Sequence, residues 1–508
     1  MRVKDIFLAV LSGILLVLSF PNFNLSFLAW IALVPLLLAT QKQSLKNTFL
    51  LGFISGLVSW VGILYWIVPT VAISGNSPWI LGIVSLLLLA AYLSLYLALF
   101  WLVWKFFTDY RLPITGYLLL APSLWVVLEF LRGRFTFGFP WALLGYSQWK
   151  FLPLIQISEY TGAYGVSFLI VLVNVAITTV IGHPPVGEAG RLSVIREKIK
   201  VLSIPALTLL VCLGYGFFVI HSPLTTHHWP LAISVLQGNI PQSIKWDEDH
   251  TQEIISVYTK LVRKVTVQQP DLIIWPETAL PGSLKKEPWL KYWVSQLAKT
   301  SKTFHLIGGF DIRDNCYYNS AFLISSEGKV IASYAKIHLV PFGEYVPFKF
   351  LRRWIRVLNE IGDITPGKEY KIFYTPKGKF CVGICYETIF PELIRKFVQR
   401  GSDLIVNITN DAWFGKTSAP QQHFIANIFR AVENRRWVVR AANTGISGFI
   451  DPYGKIVNST EIFETDFLIS EVSALKKKTF YTSYGNVFVY ICGLIVLIKI
   501  LTKILKSI

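Results

Sequence analysis

Apolar residues run in long stretches through the first 220 positions, give way to short alternating blocks, and return once near the C-terminus. Seven stretches lie near 5–21, 25–40, 48–68, 79–105, 114–131, 164–182 and 201–220, and an eighth near 485–505. Each is close to the ~20 residues that cross a ~30 Å hydrocarbon core as helix. The first two are short and joined by Pro21-Asn22-Phe23-Asn24, which suits a tight helical hairpin. The N-terminal run leads straight into further spans, so it reads as a span and not as a cleaved signal peptide.

Residues 231–475 carry a different pattern. Short β-type runs at 231–236, 272–275, 306–310, 321–325, 330–334, 380–384 and 404–408 alternate with helical stretches at 252–268, 289–299, 392–399 and 421–435. Buried strands alternating with helices predict a layered α/β domain. The expected organisation is a transmembrane helical domain over 1–220 with about seven spans, an α/β domain over 221–484, and a transmembrane helix over 485–508.

Composition agrees with lipid contact. Of 508 residues, 53% are hydrophobic and only 15% charged, with a mean hydropathy of +0.51. A soluble protein of this size would have too few charges to cover its surface. A net charge of +18 alone suits nucleic acid or anionic lipid equally. With this much apolar sequence, headgroups are the better match and nucleic acid is not expected.

Loop charge predicts orientation. Arg2, Lys4, Lys42, Lys46, Lys105, Arg111, Arg191, Arg196, Lys198, Lys200, Lys503 and Lys506 fall on one side if every stretch crosses. Both termini are then cytoplasmic and 221–484 lies outside the cytoplasm. Arg132 and Arg134 break the pattern.

The five cysteines (Cys212, Cys316, Cys381, Cys385, Cys492) are too scattered for a disulfide framework, and Cys381 and Cys385 lack a second pair at zinc-site spacing. No metal or cofactor is expected. Three polar groups stand where predicted strands end. Glu277 follows Leu272-Ile273-Ile274-Trp275-Pro276; Lys336 follows the 330–334 run and precedes the turn Pro341-Phe342-Gly343-Glu344-Tyr345; Cys385 ends Phe380-Cys381-Val382-Gly383-Ile384 before a helix. Each has an ordinary reading by itself: a helix-capping acid, a solvated lysine, a packing cysteine. Period two puts Cys381 on the same strand face as Cys385, inside the strand, where it packs. Together the three make coherent chemistry. A thiol of pKa about 8.5 is mostly protonated at neutral pH, and Glu277 could take its proton. A lysine ammonium ~4 Å away contributes at most ~4 kcal/mol to a thiolate or oxyanion at an effective dielectric of ~20.

Trp275-Pro276-Glu277-Thr278, Lys336 with 341–345, and Cys385-Tyr386-Glu387 resemble the Glu–Lys–Cys set of the nitrilase (carbon–nitrogen hydrolase) superfamily. Two further segments match, Asn407 to Gly415 and Asn443-Thr444-Gly445-Ile446-Ser447. Spans on both sides, Phe139-Pro140-Trp141, Gly145-Tyr146-Ser147-Gln148 and Gln237-Gly238-Asn239-Ile240-Pro241-Gln242 narrow the resemblance to the bacterial apolipoprotein N-acyltransferase family. It implies a multi-span helical membrane domain with an extracytoplasmic nitrilase-like α-β-β-α sandwich, in the inner membrane with the catalytic domain periplasmic. It also implies a ping-pong reaction. Glu277 deprotonates Cys385, which attacks the sn-1 ester of a phospholipid, expected to be phosphatidylethanolamine. Lys336 and the backbone N–H of Tyr386 hold the oxyanion, and Glu344 supports Lys336 or serves as a second acid/base. The thioester on Cys385 then acylates the α-amine of a diacylglyceryl-cysteine at an apolipoprotein N-terminus. Trp246, Asn319, Tyr386, Glu387 and Trp413 bind substrate or order the site. His423 is not a member of the triad and is expected to be structural or to support the site residues from behind. One departure is Ile428, where related sequences often carry arginine, although Arg430 is kept.

On this reading Arg132 and Arg134 meet outer headgroup phosphates or anchor the interface. The competing enzyme is a membrane-tethered amidase acting on a small amide; a lipoprotein-binding protein with a degenerate domain is a different class, which the complete Glu277–Lys336–Cys385 set opposes.

Overall fold

The computed structural model describes residues 1–108, 114–135, 138–182, 191–222, 230–245, 247–348, 350, 362–475 and 477–507; Arg111 and Trp246 lie outside them. The chain divides into two compact units, Met1–Val68 with Pro78–Pro223 and Tyr484–Ile508, and Pro69–Ser77 with Leu224–Ser483. Helices of seven or more residues are, in the first unit, α1 (Val3–Leu18), α2 (Val34–Thr40), α3 (Leu45–Ile63), α4 (Trp79–Thr108), α5 (Ile114–Arg132), α6 (Ala163–Gly182) and α7 (Arg191–His221). The second unit contributes α8 (Thr251–Thr266), α9 (Pro288–Ser301), α10 (Pro391–Gln399) and α11 (Ala419–Asn434), and the chain ends on α12 (Val487–Ser507), back in the first.

Among the described residues, five helices are long and apolar enough to cross a membrane: Leu45–Ile63, Trp79–Phe107, Ala163–Ile181, Lys198–His221 and Val487–Leu505. The stretch 25–40 is not one helix. A single turn at Ser26–Trp30 is separated from α2 by a break. Asn174 of α6 fills it, accepting the Leu33 N–H at 2.9 Å and donating to the Ala29 carbonyl at 2.9 Å. Away from water such freed backbone groups need an internal partner, and the buried amide supplies both donor and acceptor. α3 and α4 pack closely because Gly52 has no side chain: a Cβ there would lie 2.5 Å from the Trp101 ring.

Arg132 is only 3% exposed. Its guanidinium donates to the Trp141 carbonyl at 2.8 Å and lies 4.7 Å from the Trp60 ring centroid. The pairing of Arg132 with Arg134 as headgroup-facing cations is therefore corrected. Arg132 braces the Phe139-Pro140-Trp141 segment from within, while Arg134 is exposed over the Phe130 ring.

The second unit holds two six-stranded sheets. Its strands are β1 (Leu231–Gln237), β2 (Leu272–Ile274), β3 (Phe304–Arg313), β4 (Cys316–Ile324), β5 (Val330–Ala335), β6 (Ile372–Thr375), β7 (Gly378–Ile384), β8 (Leu404–Thr409), β9 (Val438–Ala442), β10 (Gly448–Ile450), β11 (Ile456–Ser459) and β12 (Asp466–Val472). One sheet runs β12-β1-β2-β3-β4-β5 and the other β11-β10-β9-β8-β7-β6. The central pairs β1–β2, β2–β3, β7–β8 and β8–β9 are parallel, which explains the apolar runs within β2, β7 and β8. α8 buries Ile254, Tyr258, Leu261, Val262 and Val265, one face at helical spacing. That face packs with Leu290, Val294 and Ala298 of α9 over Ile273, Trp275 and Ile307. Trp275 stacks on Tyr258, ring centroids 4.7 Å apart. The layers form an α-β-β-α sandwich, and the chain emerges from β2, β5, β7 and β8 into the loops that carry Glu277, Lys336, Cys385 and Asn410.

Candidate active site

Glu277 leaves β2 behind the fully buried Trp275 and is itself 6% exposed. Gly308 of β3 makes room for it, since a Cβ there would fall 2.3 Å from the Pro276 carbonyl oxygen. Both carboxylate oxygens are held: Oε1 accepts from Asn319 Nδ2 at 2.7 Å and Oε2 from the Asn410 N–H at 2.8 Å. Lys336 follows β5 and is buried, its Nζ 2.9 Å from Glu344 Oε2 and 3.5 Å from Glu277 Oε1. Burial would lower this lysine, but Glu344 and Glu277 outweigh it and raise it above its ordinary value. Asn319 links the two acids, its Nδ2 also donating to Glu344 Oε1 at 2.8 Å. Glu344 Oε2 further accepts the Val340 N–H at 2.8 Å, closing its own turn.

Cys385 opens a one-turn helix, Cys385–Ile389, directly after β7. Its φ is +52°, the left-handed region that costs a non-glycine residue roughly 1–2 kcal/mol. Thr278, at +46°, and Phe342, at +61°, share that geometry in the loops that carry Glu277 and Glu344. Strain of this kind collects where the surroundings over-determine the backbone. Cys385 keeps partial accessibility, yet enclosure by protein and then the Glu277 charge push its thiol up, with Lys336 acting in the opposite sense. The Cys385 thiol thus has a carboxylate and a lysine as its charged neighbours.

Glu387 has no exposed surface. Its Oε1 accepts from Tyr334 Oη (2.7 Å) and the Ile337 and His338 N–H groups (2.7 and 3.1 Å), and its Oε2 accepts the Ile384 N–H at 2.7 Å. It thereby ties the end of β5 to the end of β7. Burial pushes it up to about 7 against these donors. Tyr386 packs edge-on against Phe390 at 5.2 Å. Trp413 is 40% exposed, and its carbonyl accepts from Ser74 Oγ at 2.9 Å within the same unit. Cys381 is buried, and that burial pushes it up to about 12. Trp246 lies outside the described residues, so its place is not described. Among those residues no group of three or more His, Cys, Asp or Glu side chains is arranged to hold a metal ion.

The two matched segments at 237–242 and 443–447 meet across the sheets. Asn443 Nδ2 donates to the Ile240 carbonyl (2.7 Å) and to Asn410 Oδ1 (3.0 Å), its Oδ1 accepts the Ile240 N–H (3.0 Å), and Ser447 Oγ donates to Gln237 Oε1 (2.7 Å). Arg430 is buried against Glu433 and donates to the Thr388 and Ile389 carbonyls, while Ile428 packs in the core.

One group escaped the sequence reading. Lys245 is 3% exposed, with Nζ 3.2 Å from the Glu277 carbonyl, and burial pushes it down to about 7. His423, expected to be structural or to support the site residues from behind, reaches the Cys385 backbone: Nε2 lies 3.1 Å from the Cys385 carbonyl and Nδ1 lies 3.0 Å from Asp411 Oδ1. Asp411 pairs with Arg440, Oδ2 to Nη2 2.7 Å, and is held down to about 2 by Arg440 and His423 against its burial. No local spacing announces either contact, since the partners are far apart along the chain.

Two sheets, their strand-end loops and a cysteine beside a glutamate and a lysine define a carbon–nitrogen hydrolase-type enzyme, in a chain that also carries membrane-length helices. The Carbon-nitrogen hydrolase family matches residues 232–476, and the Apolipoprotein N-acyltransferase N-terminal domain matches residues 12–176. A curated apolipoprotein N-acyltransferase from Geobacter metallireducens is 43% identical over 96% of this chain and 93% of its own. Another, from Wigglesworthia glossinidia brevipalpis, is 30% identical over 99% of both chains. The solved nitrilase-superfamily protein Nit3 of Saccharomyces cerevisiae covers 50% of this chain and 93% of its own, at 20% identity and a TM-score of 0.39. The chain belongs to the apolipoprotein N-acyltransferase family, acyltransferases within the carbon–nitrogen hydrolase superfamily.

Proposed function

We propose that the protein moves an acyl chain from a membrane phospholipid, with phosphatidylethanolamine as the donor, to the N-terminal amine of a diacylglyceryl-cysteine on apolipoproteins, through a thioester on Cys385. Glu277 accepts the Cys385 proton as sulfur bonds to the sn-1 ester carbonyl. Lys336 and the Tyr386 N–H stabilise the oxyanion. The C–O bond breaks, Glu277 returns the proton, and a lysophospholipid leaves. In the second half the amine nitrogen bonds to the thioester carbon, Glu277 takes its proton, the C–S bond breaks, and Glu277 gives the proton to the departing sulfur to restore the Cys385 thiol. Asn319 and Glu344 set the positions of Glu277 and Lys336; Tyr386, Glu387, Trp413 and Trp246 order the site or meet substrate.

The observation that carries this reading is the mutual arrangement of Glu277 and Lys336, 3.5 Å apart and buried, with both charges acting on the Cys385 thiol. Membership of the family supplies the acceptor. The domain scheme belongs to the same proposal: helical domains over 1–220 and 485–508 crossing the bacterial inner membrane, 221–484 on the periplasmic side, and both termini in the cytoplasm. Two lipid substrates give that arrangement its physical reason, because withdrawing acyl chains from a bilayer costs about 0.8 kcal/mol per CH₂.

Intact mass spectrometry of the purified enzyme after mixing with phosphatidylethanolamine tests the proposal. The expected result is a hydroxylamine-labile acyl adduct on the wild type and none on Cys385→Ala. An unmodified wild type under turnover conditions overturns it.

A further inference from the structure

The carbonyl of Cys385 and the N–H of Tyr386 belong to one peptide unit. In a trans peptide they point in opposite directions, so whatever grips the oxygen also aims the hydrogen. Besides the backbone bonds of its own helical turn, the Cys385 oxygen has two side-chain donors, His423 Nε2 at 3.1 Å and Thr388 Oγ1 at 3.3 Å. We propose that His423 is a positioning residue for acyl transfer, holding the Cys385 carbonyl so that the Tyr386 N–H on the far side of the same peptide is fixed and polarised as an oxyanion donor. The proposal rests on the role given above to the Tyr386 N–H.

The surroundings of the ring fit this task. A carbonyl oxygen can only accept, so Nε2 carries a hydrogen. Nδ1 faces Asp411 Oδ1 at 3.0 Å and Arg440 Nη2 at 3.2 Å. It therefore has a partner in either ring state, accepting from Arg440 when the imidazole is neutral and donating to Asp411 when it is charged. Asp411 is itself fixed by Arg440 and by Thr409 Oγ1 at 3.0 Å. Every member of this chain is buried, from Arg440 through Asp411 to His423, and in a low-dielectric chain each hydrogen bond strengthens the next. Donation to a carbonyl makes the N–H of that peptide a better donor. The left-handed φ of Cys385 adds a reason for a grip, because a strained turn left unheld would relax and swing the N–H away.

The test separates oxyanion support from thiol reactivity. His423→Phe and His423→Gln are compared with the wild type in two rates: acyl-enzyme formation with phosphatidylethanolamine in mixed detergent micelles, and alkylation of Cys385 by iodoacetamide, which passes through no oxyanion. Weakening an oxyanion donor without deleting it is expected to slow acylation about 10- to 100-fold in His423→Phe, with alkylation within about threefold of wild type. His423→Gln, whose amide can donate to the same carbonyl, recovers most of the acylation rate. Equal losses in both rates, or acylation unchanged in His423→Phe, overturn the proposal. A wild type that alkylates but never acylates refutes the proposed function instead.

Discussion

Lys245 shows how a single buried charge links the site to stability. Burial pushes it from 10.5 down to about 7, with Glu277 and Cys385 pulling the other way. Between those values the unfolded chain binds a proton at this position that the native protein does not. Stability therefore rises with pH across that window, and the gain is absent below about pH 7. The full effect is on the order of 5 kcal/mol. Thermal unfolding in detergent between about pH 7 and pH 10 should show the wild type gaining on Lys245→Met as pH rises. Parallel curves would mean that Lys245 is charged in the native protein.

At the level of elements, the loops after β5 and β7 are joined through one carboxylate. Glu387 has three donors on one oxygen and one on the other. Glu387→Gln keeps the shape but turns an N–H₂ toward a backbone or hydroxyl donor whichever way the amide lies. A buried donor left without an acceptor costs about 1–3 kcal/mol. The variant should unfold earlier by that amount and lose acyl-enzyme formation with it, because Lys336 and Cys385 flank the joint. Full activity at unchanged melting temperature would show that the two loops hold their positions independently. The β strands repeat the lesson. Runs such as 404–408 and 380–384 were legible because parallel central strands are apolar on both faces. β9 was not, since Arg440 interrupts it, and that guanidinium is buried with Asp411, Asn407 and the Ile446 carbonyl receiving it. β12 was hidden for a different reason: it is an edge strand, partly exposed, with Asp466, Ser470 and Glu471 among its residues.

For the whole molecule, the charge pattern of the loops leads to an orientation that can be measured. Lys264 is exposed on α8 of the second unit. In intact spheroplasts a Lys264→Cys variant should react with a membrane-impermeant maleimide without permeabilisation. Labelling that appears only after the membrane is opened would reverse the proposed orientation. The segment Pro69–Ser77 is a whole-molecule feature of another kind. It lies between α3 and α4 along the chain, yet groups with the second unit through contacts such as Ser74 to the Trp413 carbonyl.

The amino-acid sequence alone determined the class of each half, because hydrophobic periodicity is local: unbroken runs for helices of membrane length, short alternating runs for the sandwich. It also carried the motifs that mark the family, and the strand ends where Glu277, Lys336 and Cys385 stand. What it could not determine were contacts between residues far apart in the chain. Asn174 filling a broken helix, Arg132 turned inward, Lys245 beneath Glu277 and His423 on the Cys385 carbonyl all depend on how the chain folds back on itself. A buried polar group is tolerated only with its partners in place, and those partners are chosen by the packed structure, not by spacing along the sequence.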